Sequence, residues 1–254
     1  MSKPISQTND SLLEAKLQDA VQLCLFNNRA HFIGFLDERE AEFAKKVMSK
    51  SAFKNYMFWG GHDASERVVF GAFPDYMAPE ESSFPIMPIT ATFRNNDTLS
   101  HRDFLGALMS AGVNRDTLGD LLVEEGRCVL FVKAEVAEFI LLQITKIGRV
   151  GVKLVKGMQE PLPQGKNFAT FTDVVASARL DCMVAAAIST SREKASAMIT
   201  AGMVMLNHVE TVSVSAVVHD GDKLSVRGKG RFVLDQIGPV TKKGRLSIAG
   251  RKYI

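Results

Sequence analysis

Cysteine is scarce in this chain: Cys24, Cys128 and Cys182 are the only three in 254 residues, and they lie far apart. An odd, widely spaced set excludes a disulfide framework and a cysteine-rich zinc site, and it fits reduced, buried thiols. The five histidines, His31, His62, His101, His208 and His219, form no short-range ligand pair, so no metal and no cofactor is expected. No apolar run approaches the roughly 20 residues that a membrane helix needs. The opening "MSKPISQTNDS" is polar and lacks the apolar segment of a signal peptide. These absences predict a soluble cytoplasmic protein with no membrane partner. Internal repeats and low-complexity tracts are missing as well.

Catalytic motifs are equally sparse. "HRD" at 101–103 has Leu108 where a kinase loop needs Asn, and no glycine-rich phosphate loop precedes a lysine-bearing strand. "GKGR" at 228–231 is too short for a phosphate-binding P-loop. The cluster His62, Asp63, Ser65 and Glu66 in "WGGHDASER" reads as a structured turn, since neighbours along an extended turn rarely converge on one atom. No catalytic residue is assigned, and the expectation is a protein that is not an enzyme.

Charge is present, and it is unevenly placed. Residues 173–254 carry 12 Lys+Arg against 7 Asp+Glu, a net of +5, whereas the rest of the chain carries 19 against 21, a net of −2. A basic final third points to a polyanionic partner, most simply nucleic acid. Arg179 precedes one helical pattern, and Arg192 and Lys194 open the next, behind Ser191 as N-cap. Cations at a helix start oppose the backbone dipole, so either they sit incidentally on a solvated face or they point at something negative. Arg227, Lys229 and Arg231 alternate through "VRGKGRF", which predicts one strand face bearing all three.

The expected fold class is α+β and multidomain. Residues 1–80 read as a small α/β domain. "SLLEAKLQDAVQLCLFN" aligns Leu13, Leu17, Ala20, Val21, Cys24 and Leu25 on one helical face, "DEREAEFAKKVM" is a second helix, and two extended runs flank a Gly-Gly turn. Residues 81–160 give the order β-α-β-β-α-β. Ser100 and Asp103 have capping-box spacing, and the second helix is expected to end at Gly148. This is the split βαβ order of ferredoxin-like and RNA-recognition-motif domains. "EPLPQGKN" is a linker, and residues 171–254 form the third domain, with helices at "ARLDCMVAAAI" and after Ser191, turns and strands, and a C-terminal tail.

The stretch "ARLDCMVAAAISTSREKASAMITAGMVMLNHVETVSVSAVVHDGDKLSVRGKGRF" resembles an S4-type RNA-binding domain. The resemblance rests on Arg179-Leu180-Asp181, Ser191-Arg192, Lys194-Ala195, Ile199, Gly202, Val204, Asn207, Gly221-Asp222 and Val226-Arg227, with His208 departing from the glycine usual after Asn. "FWGGHDASER" and "LSHRDFLGALMSAGVNRDTLGDLL" extend it to the bacterial YlmH family over about Phe32 to Phe232. That resemblance implies a monomeric, non-enzymatic factor binding rRNA and tRNA on the large ribosomal subunit, in ribosome-associated quality control and alongside its other factors, with a further link to cell division. It implies RNA contacts from Arg179, Ser191, Arg192, Lys194, Asn207, Arg227, Lys229 and Arg231. The alternatives are an RNA-modifying enzyme that uses the S4 domain to hold its substrate, or a cell-division adaptor. In the middle domain the strand "RCVLFVK" offers only Phe131 for base stacking, and strand alternation predicts its burial.

Overall fold

Leu13, Leu17, Ala20 and Cys24 recur at helical spacing, and in the computed structural model they form the buried stripe of α1 (Ile5–Asn27). Leu25, expected on that stripe, faces outward because it lies a further 100° around the helix from Cys24. The structure describes residues 5–163 and 168–253, so the expected linker at 160–167 falls partly outside the described residues. Chain contacts divide into two compact units, 1–165 and 166–254.

In the first unit, α1 is followed by β1 (His31–Leu36), α2 (Glu38–Lys50), β2 (Tyr56–Trp59) and β3 (Val68–Ala72). A capping box starts α2: the Asp37 carboxylate accepts from Glu40 N–H, and the Glu40 side chain accepts from Asp37 N–H. The antiparallel order β1-β3-β2 gives a small sheet whose Phe70 and Ala72 pack with Leu17, Cys24, Ala44 and Met48 of the two helices.

The chain then forms β4 (Ile86–Thr92), α3 (His101–Ser110), β5 (Leu118–Glu124), β6 (Arg127–Lys133), α4 (Ala134–Gln143), β7 (Lys146–Ile147), β8 (Val150–Gly151) and β9 (Lys153–Lys156). The Ser100–Asp103 capping box is present at α3. The helix expected to run to Gly148 ends at Gln143, because the next residues turn into the small β7–β8 hairpin. The antiparallel sheet has the order β5-β6-β4-β9, with β9 at an edge. Cys128, Leu130 and Val132 of β6 point to the α3–α4 side, and Val129 and Phe131 point the other way. That second face is buried against Phe35, Val69, Phe73 and Phe84. The segments expected as separate domains over 1–80 and 81–160 therefore share a core within one unit.

The second unit holds β10 (Phe168–Val175), α5 (Leu180–Ala187), α6 (Arg192–Thr200), β11 (Val204–Leu206), β12 (Val209–Glu210), β13 (Lys223–Val226), β14 (Gly230–Val240) and β15 (Leu246–Tyr253). The expected C-terminal tail is instead β15, an inner strand of the six-stranded sheet β10-β15-β14-β13-β11-β12. It lies between β10 and β14, where its Ile248 is buried in the core. Leu180, Met183 and Val184 of α5 and Ala195 and Ile199 of α6 pack with Leu224, Val226, Phe232 and Leu234.

Candidate nucleic-acid interface

The first turns of α5 and α6 meet over a single carboxylate. Asp181 has a side chain only 4% exposed, and it accepts from Arg179 through Nε at 3.1 Å and an η nitrogen at 3.2 Å, and from Arg192 Nε at 2.8 Å. Burial pushes the Asp181 carboxyl up, but the hydrogen bonds and charges of the two arginines outweigh it and hold the carboxyl below its ordinary value. The Asp181 bond in turn raises Arg192. Arg179 and Arg192 remain 40% and 53% exposed. One buried anion thus fixes two guanidinium groups at the surface. The positive charge at the α6 start, unfavourable to the dipole, has its negative partner inside the fold, and the outer edge of Arg192 stays open to solvent.

Ser191 is the N-cap of α6, where its hydroxyl accepts from Lys194 N–H at 3.3 Å, and the Lys194 side chain is exposed. Arg227, Lys229 and Arg231 do not share a strand face. Arg227, Gly228 and Lys229 form the turn between β13 and β14, and only Arg231 lies in a strand, opposite Ser225. Gly228 and Gly230 have φ of 75° and 115°, left-handed conformations that break the extended alternation. All three cations are exposed on this hairpin. A groove of about 260 Å³ joins Lys229 to Ser189 of the α5–α6 loop, with Lys252, Thr170, Phe171 and Phe232 among its walls. The hairpin therefore lies beside the loop that leads to the α6 N-cap. Lys252 was hidden from sequence reasoning because its strand read as a tail; the alternation of "LSIAGRKY" was the available signal.

Asn207 has another task. It sits at φ 48° and its neighbour His208 at 64°, both left-handed, which is the backbone of a two-residue hairpin between β11 and β12. Its amide nitrogen donates to Asp222 at 2.8 Å, and its oxygen accepts from Lys223 N–H at 2.9 Å. Both ends of the side chain are engaged in joining that turn to β13.

The "WGGHDASER" segment is an internal clasp. Asp120 on β5 accepts from His62 Nε2 at 3.1 Å and from the backbone N–H groups of Glu66 at 2.8 Å and Arg67 at 3.1 Å. Arg67 donates to the carbonyls of Leu118, Phe35 and Arg115. Burial, and next the charge of Arg67, push Arg115 down to about 10. Gly61, at φ 102°, lies against Phe131, whose ring a Cβ would overlap. The His62 ring packs on Phe131 with centroids 4.8 Å apart. Phe131 is fully buried, and no base can stack on it.

Among the described residues no helix is long and apolar enough to cross a membrane. The family model described as "Putative RNA-binding domain in YlmH" matches residues 79–160. The ribosome-associated protein quality control protein P2 of Bacillus subtilis (strain 168) is 33% identical over 219 residues, 85% of each chain. The structure of the cell division protein ylmH from Streptococcus pneumoniae aligns with 62% of this chain and 94% of its own, with a TM-score of 0.52 at 20% identity. Identity of 33% sustained over 85% of both sequences, together with the family match, shows that the chain belongs to the YlmH family.

Proposed function

We propose that this chain is a non-enzymatic RNA-binding factor that grips rRNA and tRNA on the large ribosomal subunit during ribosome-associated quality control of stalled nascent chains. The observation that carries the reading is the Asp181-centred cluster, which presents Arg179 and Arg192 to solvent, with the exposed Lys194 in the same first turn as Arg192. Guanidinium groups fixed in this way meet phosphate oxygens with little further ordering. The name of the Bacillus subtilis relative supports the ribosomal setting, and the matched family description supports RNA binding. The α5–α6 pair on its antiparallel sheet is consistent with an S4-type domain. The order β5-β6-β4-β9 with α3 and α4 on one face is consistent with a ferredoxin-like, RNA-recognition-motif-like unit.

The test is binding to purified large ribosomal subunits, with and without tRNA, across a salt series. Replacing the two arginines alone would strand a buried carboxylate and unfold the site. The variant therefore combines Arg179→Gln, Asp181→Asn, Arg192→Gln and Lys194→Gln, and its folding is checked by circular dichroism. Salt-sensitive, tRNA-dependent binding of the wild type that disappears in the folded variant is expected. Binding unchanged in the folded variant would overturn the assignment of this face.

A further inference from the structure

We infer that the β7–β8 hairpin and the edge strand β9 form a second RNA-binding strip, on the N-terminal unit, that holds the phosphate backbone through Lys146, Arg149, Lys153 and Lys156. This deepens the RNA-binding reading and rests on it.

Three observations lead here. The four cations fall within a stretch that has no Asp or Glu between Glu138 and Glu160, and all four side chains are exposed. The N-terminal part of the chain has a net charge of −2 over residues 1–172, so the cluster is a local inversion of sign rather than part of a basic background. Second, β9 is paired only with β4 among the described strands, which leaves its outer edge and the adjoining hairpin approachable. Third, the other route to RNA is closed. A sheet with helices on one face usually reads RNA by stacking bases on the opposite face. Here that face is covered by Phe35, Val69 and Phe73, and Phe131 lies under His62. RNA contact from this unit then falls to an edge, and an edge of lysine and arginine on an exposed strand suits phosphates rather than bases.

Cations on an edge strand have a second use, since charge there deters pairing with another chain. Glutamate would serve that use equally well but would repel phosphate. Charge reversal separates the two. In the full chain, Lys146→Glu, Arg149→Glu, Lys153→Glu and Lys156→Glu are combined. A control variant carries Lys16→Glu, Lys45→Glu, Lys46→Glu and Lys50→Glu on exposed positions of α1 and α2, which changes net charge equally.

Both are titrated with purified large ribosomal subunits and with a short RNA duplex, across salt. Three to four lost phosphate contacts, at about 0.7–0.9 each, lower the slope of log K against log salt by about 2–3.5. That fall in the strip variant, beyond any in the control, is the expected result. A strip variant that matches wild type or the control overturns the strip. Run beside the α5–α6 variant, the outcomes stay separable. Loss there alone removes the strip and leaves the proposed function standing. Loss in the strip variant alone keeps the strip and removes the α5–α6 assignment. If reversal causes self-association in light scattering, the corresponding four-glutamine variant reads the same slope.

Discussion

Changing Asp120 to Ala removes the common acceptor of His62 Nε2 and of the Glu66 and Arg67 amides. Asp120 is buried, so water replaces it poorly. Two backbone donors left without this acceptor cost about 1–3 kcal/mol each, and the lost His62 bond adds about 1 kcal/mol. Contributions within one loop overlap, which gives an expected loss of about 3–5 kcal/mol. At about 2–4 °C per kcal/mol for a unit of this size, the melting transition falls by about 10 °C. Scanning calorimetry of the full chain is expected to show this fall in the transition of the N-terminal unit, with the C-terminal unit unmoved. Asp103→Ala provides the scale: it removes an exposed capping box at α3 and is expected to cost about 1 kcal/mol. Because Asp120 is buried and is none of the residues assigned to RNA contact, RNA affinity below the transition is expected to stay at the wild-type value. An Asp120→Ala variant no less stable than Asp103→Ala would refute the clasp.

The remaining predictions concern titration and reactivity. The Asp181 carboxyl lies below its ordinary value in the fold, so the stability it confers is complete above about pH 4 and is lost as pH falls below that. Asp181→Asn is expected to flatten the acid side of a urea-midpoint profile; an unchanged acid slope would mean the cluster contributes no stability. Cys24, Cys128 and Cys182 are all buried, and burial pushes the thiols of Cys24 and Cys128 up. A thiol reagent is expected to label none of them in the native chain and all three after denaturation. Rapid native labelling would show that the cores open readily.

Local signals were legible in the sequence, and long-range ones were not. The helix after Ser100 could be read because its cap and its cap's partner are three residues apart, and the same holds for Ser191 and Lys194 at α6. "DLLVEEGRCVLFVK" announced its hairpin through the Glu-Gly turn, and Phe131 was rightly expected to be buried. "HFIGFL", which forms β1, carries little strand signal because its apolar run shows no clean alternation. The Asp120 clasp joins positions over 50 residues apart, and no spacing rule reaches that far. At the candidate interface the residue types were visible, whereas the placement of Arg227 and Lys229 on a turn depended on two positive-φ glycines that sequence alternation treats as spacers.

The position of β15 also sets an order of events. Among the described strands β10 pairs with β15 alone, with Phe168 opposite Tyr253 and Val175 opposite Leu246. Every other element of this unit is synthesised before β15. Until its residues emerge, β10 has nothing to pair with and β14 keeps one long flank bare, so the sheet beneath α5 and α6 closes only after its final strand is free. Such sequence-distant pairing is slow to form. While a chain is still being made, its own cation cluster therefore lacks the finished platform that holds it in place, and loss of β15 would leave two open strand edges under the same helices.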